Sequence, residues 1–214
     1  LTLSATSVDF GSQRVSTSKS KTFTVNSTGP DAALTISSSP LSVGTSYSNS
    51  PTSSNRSINV GSSETETITF SPSSRGGFSD TLTINSNATT TADQVKKVTI
   101  SGTGINGVYS GLTTVSFDKV RVGNTKQLTY TITNTGDDTL FLATPTVSGT
   151  GYTIMTGLAS QSIAPNGTGA LVLKFSPTAK QNYPGSLTLT AQNNVKLPAI
   201  TLPGHGTEPT IGVL

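Results

Sequence analysis

The residues with catalytic potential are few and scattered. His205 is the sole histidine of 214 residues, so any Ser-His-Asp triad would have to use it. It stands in Gly204-His205-Gly206 with Glu208 as the nearest acid in sequence, and reads as a solvated linker side chain. The one adjacent carboxylate pair, Asp137-Asp138, follows Gly136 in what reads as a turn, where Asp is common; calcium would need six or more oxygens. Glu64 and Glu66 alternate along a strand and read as a solvated stretch. Gly102-Thr103-Gly104 lacks the Lys-Ser/Thr and the helix of a phosphate loop. No cysteine is present, which excludes disulfides, thiol nucleophiles and zinc-thiolate sites. A Lys–Asn crosslink would need a buried lysine, and Lys174 alternates away from Leu173 and Phe175. No catalytic, metal-binding or cofactor-binding residue is therefore assigned, and no cofactor is expected.

Composition narrows the classes further. Ser (32) and Thr (39) make up a third of the chain, charged residues only 11%. The net charge of +3 comes from 13 Lys/Arg spread thinly against 10 Asp/Glu. Lys96-Lys97 is the only basic dipeptide, so the basic stripe of a nucleic-acid binder is missing. No window resembles a membrane span, and Leu1-Thr2-Leu3-Ser4 is not a signal-peptide head.

These residues must be positioned by strands. Thr22-Phe23-Thr24-Val25, Thr81-Leu82-Thr83-Ile84, Thr129-Tyr130-Thr131-Ile132 and Ser186-Leu187-Thr188-Leu189 alternate apolar and hydroxyl residues, the period of a half-buried strand. Thr suits the outer face, its branched Cβ packing on the pleat while its hydroxyl meets water. The chain also repeats itself. Val8-Asp9-Phe10 returns as Val115-Ser116-Phe117, Phe70-Ser71-Pro72 as Phe175-Ser176-Pro177, and Ser101-Gly102-Thr103-Gly104 as Pro203-Gly204-His205-Gly206. The spacing gives a domain over 1–104, a Gly-rich linker over 105–110, a second domain over 111–207, and over 208–214 a tail or the start of a further repeat. About seven short strands per hundred residues predict two tandem immunoglobulin-like β-sandwiches, an all-β fold.

Pairing the copies assigns ten of the twelve aromatics to duplicated core positions: Phe10/Phe117, Phe23/Tyr130, Tyr47/Tyr152, Phe70/Phe175 and Phe78/Tyr183. Tyr109 and Phe141 are left over. Tyr109 falls in the linker, and the two are the candidate interdomain or ligand contacts. Lys96 and Lys97 read as guards of the first copy's last edge strand.

The ordered pieces Val8-Asp9-Phe10-Gly11, Thr22-Phe23-Thr24-Val25-Asn26, Thr28-Gly29, Leu34-Thr35-Ile36, Thr69-Phe70-Ser71-Pro72, Leu82-Thr83-Ile84 and Val98-Thr99-Ile100-Ser101-Gly102-Thr103-Gly104 resemble the ASPM–SPD-2–Hydin (ASH) group and its bacterial relatives, the repeats of choice-of-anchor D proteins. The resemblance covers nearly the whole chain. It implies a sandwich related to the major-sperm-protein fold that binds or spaces without catalysis. Eukaryotic members are cytoplasmic, at cilia and centrosomes; bacterial ones are mostly exported. Copy two departs from the pattern, with Lys119 read at the place of Gly11 and His205 in the closing glycines. The expectation is a structural or adhesive segment of an extracellular bacterial surface protein. Its partner would be a protein or neighbouring repeats, with no nucleic acid and no membrane insertion by this segment. The rivals are a glycan-recognition module, an intracellular scaffold, and an accessory sandwich of a larger enzyme.

Overall fold

A computed structural model describes residues 1–29, 32–192 and 197–208. The chain divides into two units, Leu1–Ile105 and Asn106–Leu214. The first contains β1 (Thr2–Leu3), β2 (Ser7–Arg14), β3 (Lys19–Asn26), β4 (Leu34–Ser38), β5 (Tyr47–Ser50), β6 (Arg56–Ile58), β7 (Ser63–Phe70), β8 (Gly76–Ser86), the single turn α1 (Thr91–Gln94) and β9 (Val95–Ile105). They build one sheet in the order β1-β3-β7-β5 and another in the order β2-β9-β8-β4-β6. Every pairing is antiparallel except β2 with β9.

The second unit repeats this plan with β10 (Tyr109–Ser110), β11 (Asp118–Arg121), β12 (Lys126–Asn134), β13 (Leu140–Phe141), β14 (Thr146–Ser148), β15 (Tyr152–Thr156), β16 (Ser162–Ile163), β17 (Thr168–Phe175), β18 (Asn182–Thr188) and β19 (Ile200–Thr207). Its sheets run β10-β12-β17-β15 and β11-β19-β18-β14. The counterpart of β4 is broken in two: β13 keeps the pairing with β16, and β14 pairs with β18. That break adds a strand, and Phe141 sits on it, at the position Thr35 holds in the first unit. The chain is thus an all-β pair of immunoglobulin-like sandwiches.

Alternation does what the sequence pattern requires. In β3 it buries Phe23 and Val25, in β8 Leu82 and Ile84, in β12 Tyr130 and Ile132, and the intervening threonines face outward. Each fully buried large side chain contributes about 1.5–3 kcal/mol relative to exposure. The ring clusters duplicate. Tyr47 stacks on Phe70 at 4.8 Å and Tyr152 on Phe175 at 4.7 Å. Phe10 meets Phe70 at 5.6 Å, as Phe117 meets Phe175 at 5.6 Å. A tether repeats as well: Tyr47 Oη donates to the Phe78 carbonyl at 3.1 Å, and Tyr152 Oη to the Tyr183 carbonyl at 2.7 Å. Burial pushes both phenols up to about 12, with Asp80 and then Asp9 adding to it at Tyr47, so both remain donors at neutral pH.

Several expectations change. The residue at the place of Gly11 is Asp118 and not Lys119: Gly11 has φ +64° and Asp118 φ +53°, and an Asp tolerates this left-handed geometry better than most residues. The segment read as a linker over 105–110 is divided between the ladders, because Ile105 ends β9 while Tyr109 and Ser110 pair with Asn134 and Thr133. From Thr99 onward β9 is an interior strand, covered by β2 on one side and β8 on the other, so Lys96 and Lys97 guard no full edge. Lys96 instead pairs with Asp93 at 2.7 Å. Of the tail over 208–214, residues 209–214 lie outside the described residues.

Candidate functional site

The polar side chains that the folds gather form four groups. In the first unit Asp80, on β8, is buried and its carboxylate is gripped from several directions. Oδ1 accepts from the Ser42 N–H at 3.0 Å, the Ser42 hydroxyl at 2.6 Å, the Val43 N–H at 3.1 Å and the Thr81 N–H at 2.7 Å; Oδ2 accepts from the Gly44 N–H at 2.8 Å. Burial alone would push this carboxyl up, but the bonds from Ser42, Gly44, Thr81 and Val43 outweigh it and hold the group below its ordinary value. Four of these five bonds fix the loop over 42–44.

The second group corrects the reading of Glu64 and Glu66 as solvated. Glu66 is fully buried, because it stands in phase with Ile68 and Phe70 on the inward face of β7. Arg56, on β6, reaches both acids: Nη1 donates to Glu64 Oε1 at 2.9 Å, and Nη2 to Glu66 Oε1 at 2.5 Å and Ser39 Oγ at 3.1 Å. Among the described residues Arg56 Nε, Glu64 Oε2 and Glu66 Oε2 are buried without a hydrogen-bond partner. In the second unit Gln161 and Leu171 occupy the places of Arg56 and Glu66.

Burial pushes the Glu66 carboxyl up, although the Arg56 bond and charge oppose this. The folded state therefore keeps the proton to higher pH than the unfolded chain does. Between the ordinary glutamate value and the raised one, unfolding releases a proton, so this group's contribution to stability is greatest below that window and declines as pH rises through it. Glu66→Gln, which fixes the neutral form, is expected to match the wild type near pH 4 and exceed its stability at pH 7. Denaturant titrations of both chains at the two pH values check this; an equal gap at both would contradict it.

Tyr109 makes the third group. It lies on the edge strand β10, half-buried against the second core. Its hydroxyl bonds that of Tyr130, which donates onward to the Leu112 carbonyl at 2.7 Å. Burial comes first, then the Tyr109 bond and charge, in pushing the Tyr130 phenol up. The ring read as a linker side chain is thus engaged within its own unit. Phe141 is half-buried on β13, where Phe141 pairs with Ser162. The two candidate contact residues stand on different sheets, β10 and β13.

The fourth group is His205. It belongs to β19 rather than to a linker, and Nδ1 lies 2.7 Å from Asn182 Oδ1. Among the described residues no three His, Cys, Asp or Glu side chains gather as a metal site would require, and no helix is long and apolar enough to cross a membrane. Each charged cluster thus serves to fasten a loop or strand. What the units present outward is hydroxyl-rich sheet faces, with cross-strand pairs such as Ser20–Thr69 at 2.8 Å and Ser148–Ser186 at 2.8 Å, and edge strands, among them β5, β6, β14 and β15.

Sequence reasoning missed Asp80, Arg56 and the buried Glu66. Phase was the available signal: Glu66, Ile68 and Phe70 are spaced by two, and the other copy has Leu171 at the first of these positions.

The family described as "Abnormal spindle-like microcephaly-assoc'd, ASPM-SPD-2-Hydin" matches residues 1–94 and 108–199. Among curated proteins none matches the chain. Among solved structures the chain is similar to a protein of unknown function from Porphyromonas gingivalis W83, with 15% identity over 95% of this chain and 98% of that one and a TM-score of 0.41. It is similar to the ASH/PapD-like domain 7 of human CEP192, with 14% identity over 48% and 87% and a TM-score of 0.37. SSP-19, an MSP-domain protein like family member of Caenorhabditis elegans, gives 15% identity over 48% and 99% with a TM-score of 0.35.

Proposed function

Since the chain belongs to the ASPM-SPD-2-Hydin family, whose immunoglobulin-like domains are generally non-catalytic interaction modules, we propose that it is a structural and adhesive segment of an exported bacterial surface protein, spacing and binding through its two sandwiches. One observation carries the non-catalytic part of this reading. The large rings of both units stack inside their cores, and the buried charges face loop amides or one another. Catalysis calls for titratable groups converging on an accessible cleft. Binding calls only for surface, and here the surface consists of open strand edges and faces rich in Ser and Thr. An exposed edge can take a further strand from a partner through main-chain hydrogen bonds. Few charges and many hydroxyls suit a stalk outside the cell.

Two measurements test the reading. Antibodies raised to this chain are expected to label intact cells of the source organism, and protease added outside is expected to remove the label. Beads coated with the chain are expected to adhere to whole cells or to a protein-coated surface. Labelling seen only after lysis would give the chain to the intracellular scaffolds.

A further inference from the structure

The sequence spreads its cations thinly, but the fold of the second unit brings several of them together. β11 pairs with β19 in parallel, setting Lys119 beside His205 and Arg121 beside Thr207, and β18 places Asn182 on the other side of His205. Val120 is buried while Lys119 and Arg121 are exposed, so the two cations stand in phase on the outer face of an edge strand. Lys180, also exposed, precedes Gln181, whose carbonyl accepts from the Gly206 N–H at 2.9 Å. A third cation thus comes to the end of the row that Arg121 and Thr207 form. Of the acids close in the chain, Asp118 accepts from the Ser116 hydroxyl at 2.7 Å and from Lys126 Nζ at 3.1 Å, and Glu208 lies past the end of β19.

The same two residues carry the open main-chain groups. In a ladder, successive residues turn their N–H and C=O groups to opposite sides. The Val122 N–H donates to the Thr207 carbonyl at 2.8 Å, so Val120 and Val122 face β19 while Lys119 and Arg121 face the outer side. The Asn124 N–H takes the Arg121 carbonyl at 2.9 Å, which leaves the Lys119 N–H and carbonyl and the Arg121 N–H at the edge. Other edges differ. β2 and β15 are bulged, and Lys21 Nζ donates to the Asp9 carbonyl of β2 at 2.6 Å. β5 and β14 are regular but turn only hydroxyls outward.

We propose that β11 is the docking edge for an extended acidic segment of a partner protein, with Asp or Glu at alternate positions, which adds to the sheet as a further strand. Its main chain pairs with Lys119 and Arg121, and strand alternation sets its two acids on the outer face beside the two cations. Charge selects the occupant, since a basic strand laid here would oppose like charges directly. The contact is short, so a free peptide binds weakly, in the millimolar range; repetition along an array is what makes such a contact effective. The inference deepens the binding part of the proposed function and rests on it. Surface labelling and bead adhesion can succeed with this edge silent, and this edge can bind in a chain kept inside the cell, so the two failures are separable.

The test titrates the isotope-labelled full chain with acetyl-Thr-Glu-Val-Glu-Thr-amide and follows the amide resonances residue by residue. The Lys119 and Arg121 amides are expected to shift and to saturate in the millimolar range, with the Tyr130 amide as the unmoved reference. The isomer acetyl-Thr-Val-Glu-Glu-Thr-amide has the same charge but turns its acids to opposite faces. It is expected to bind about threefold more weakly, the worth of one cross-strand charge pair. In the double variant Lys119→Glu/Arg121→Glu, altered only at exposed side chains, acetyl-Thr-Lys-Val-Lys-Thr-amide is expected to replace the acidic peptide as the ligand. No shift at Lys119 and Arg121 overturns the proposal, and so does equal binding of the two isomers. Polygalacturonate shifting these amides as far as the alternating peptide does would assign the patch to acidic polysaccharides and overturn it too.

Discussion

Replacing Phe175 with alanine is expected to destabilise the second unit by about 3–5 kcal/mol, enough to unfold a marginal domain. The ring is fully buried and is the hub of its cluster, stacked on Tyr152 at 4.7 Å and meeting Phe117 at 5.6 Å and Tyr183 at 5.3 Å. Its removal opens a cavity among three other rings that the two sheets cannot close without breaking their ladders. Phe70→Ala is expected to do the same to the first unit, where Tyr47, Phe10 and Phe78 surround the ring at 4.8, 5.6 and 5.6 Å. Hydrogen exchange resolved by residue reads the two units separately. Loss of protection should be confined to the strands of the unit mutated, β10–β19 for Phe175 and β1–β9 for Phe70. A cost below about 1 kcal/mol would fit a surface ring and would return the aromatics to the candidate binding residues.

How much of this was legible in the sequence depended on whether a feature repeats. The pairs Phe10/Phe117, Tyr47/Tyr152 and Phe70/Phe175 were readable because duplication separates a packing requirement from an accident. The contacts that Phe70 and Phe175 make with the other two rings then agree closely, at 5.6 and 5.6 Å and at 4.8 and 4.7 Å. Features present in one copy only were opaque. A carboxylate on a threonine-rich strand suggests water, so Glu66 reads as solvated, yet β-strand phase is set by the whole strand and Ile68 and Phe70 fix it. The burial of Glu66 depends on Arg56, which stands ten residues earlier on another strand; a pairing of that kind belongs to tertiary structure. Asp80 is similar, since its partners are amides of a loop over 42–44 and amides leave no mark on composition. Tyr109 was misplaced for another reason. Glycines at 104, 107 and 111 read as a linker, whereas Gly107 and Gly111 are close-approach positions: a Cβ on Gly111 would lie 2.5 Å from Tyr109 Oη.

The closing glycines carry the second large expectation. Along β9 the inward face runs Val98, Ile100, Gly102, Gly104, and along β19 it runs Ile200, Leu202, Gly204, Gly206, large residues giving way to none. The taper follows what crosses beneath. A Cβ on Gly102 would lie 2.6 Å from the Phe70 ring, and one on Gly204 2.8 Å from the Phe175 ring. One residue pair farther, a Cβ on Gly104 would lie 2.1 Å from the Ser74 carbonyl oxygen, and one on Gly206 2.0 Å from that of Ala179. A ring can tilt, but a backbone carbonyl moves only with its loop. Moving the loop over 177–181 would also break the bond from the Gly206 N–H to the Gln181 carbonyl, 2.9 Å long. Gly206→Ala is therefore expected to cost about 3 kcal/mol, the upper end of what overpacking costs, and Gly104→Ala about as much in the first unit. Gly157→Ala is the control: its Cβ would meet nothing within 4 Å and its φ is not left-handed, so a change within about 0.5 kcal/mol is expected. Denaturant midpoints of the three variants decide it. Were Gly206→Ala as mild as Gly157→Ala, the glycine would be answering to a ligand or a turn rather than to this close approach. With the expected difference, a motif that resembles a phosphate loop is explained by the space between two sheets.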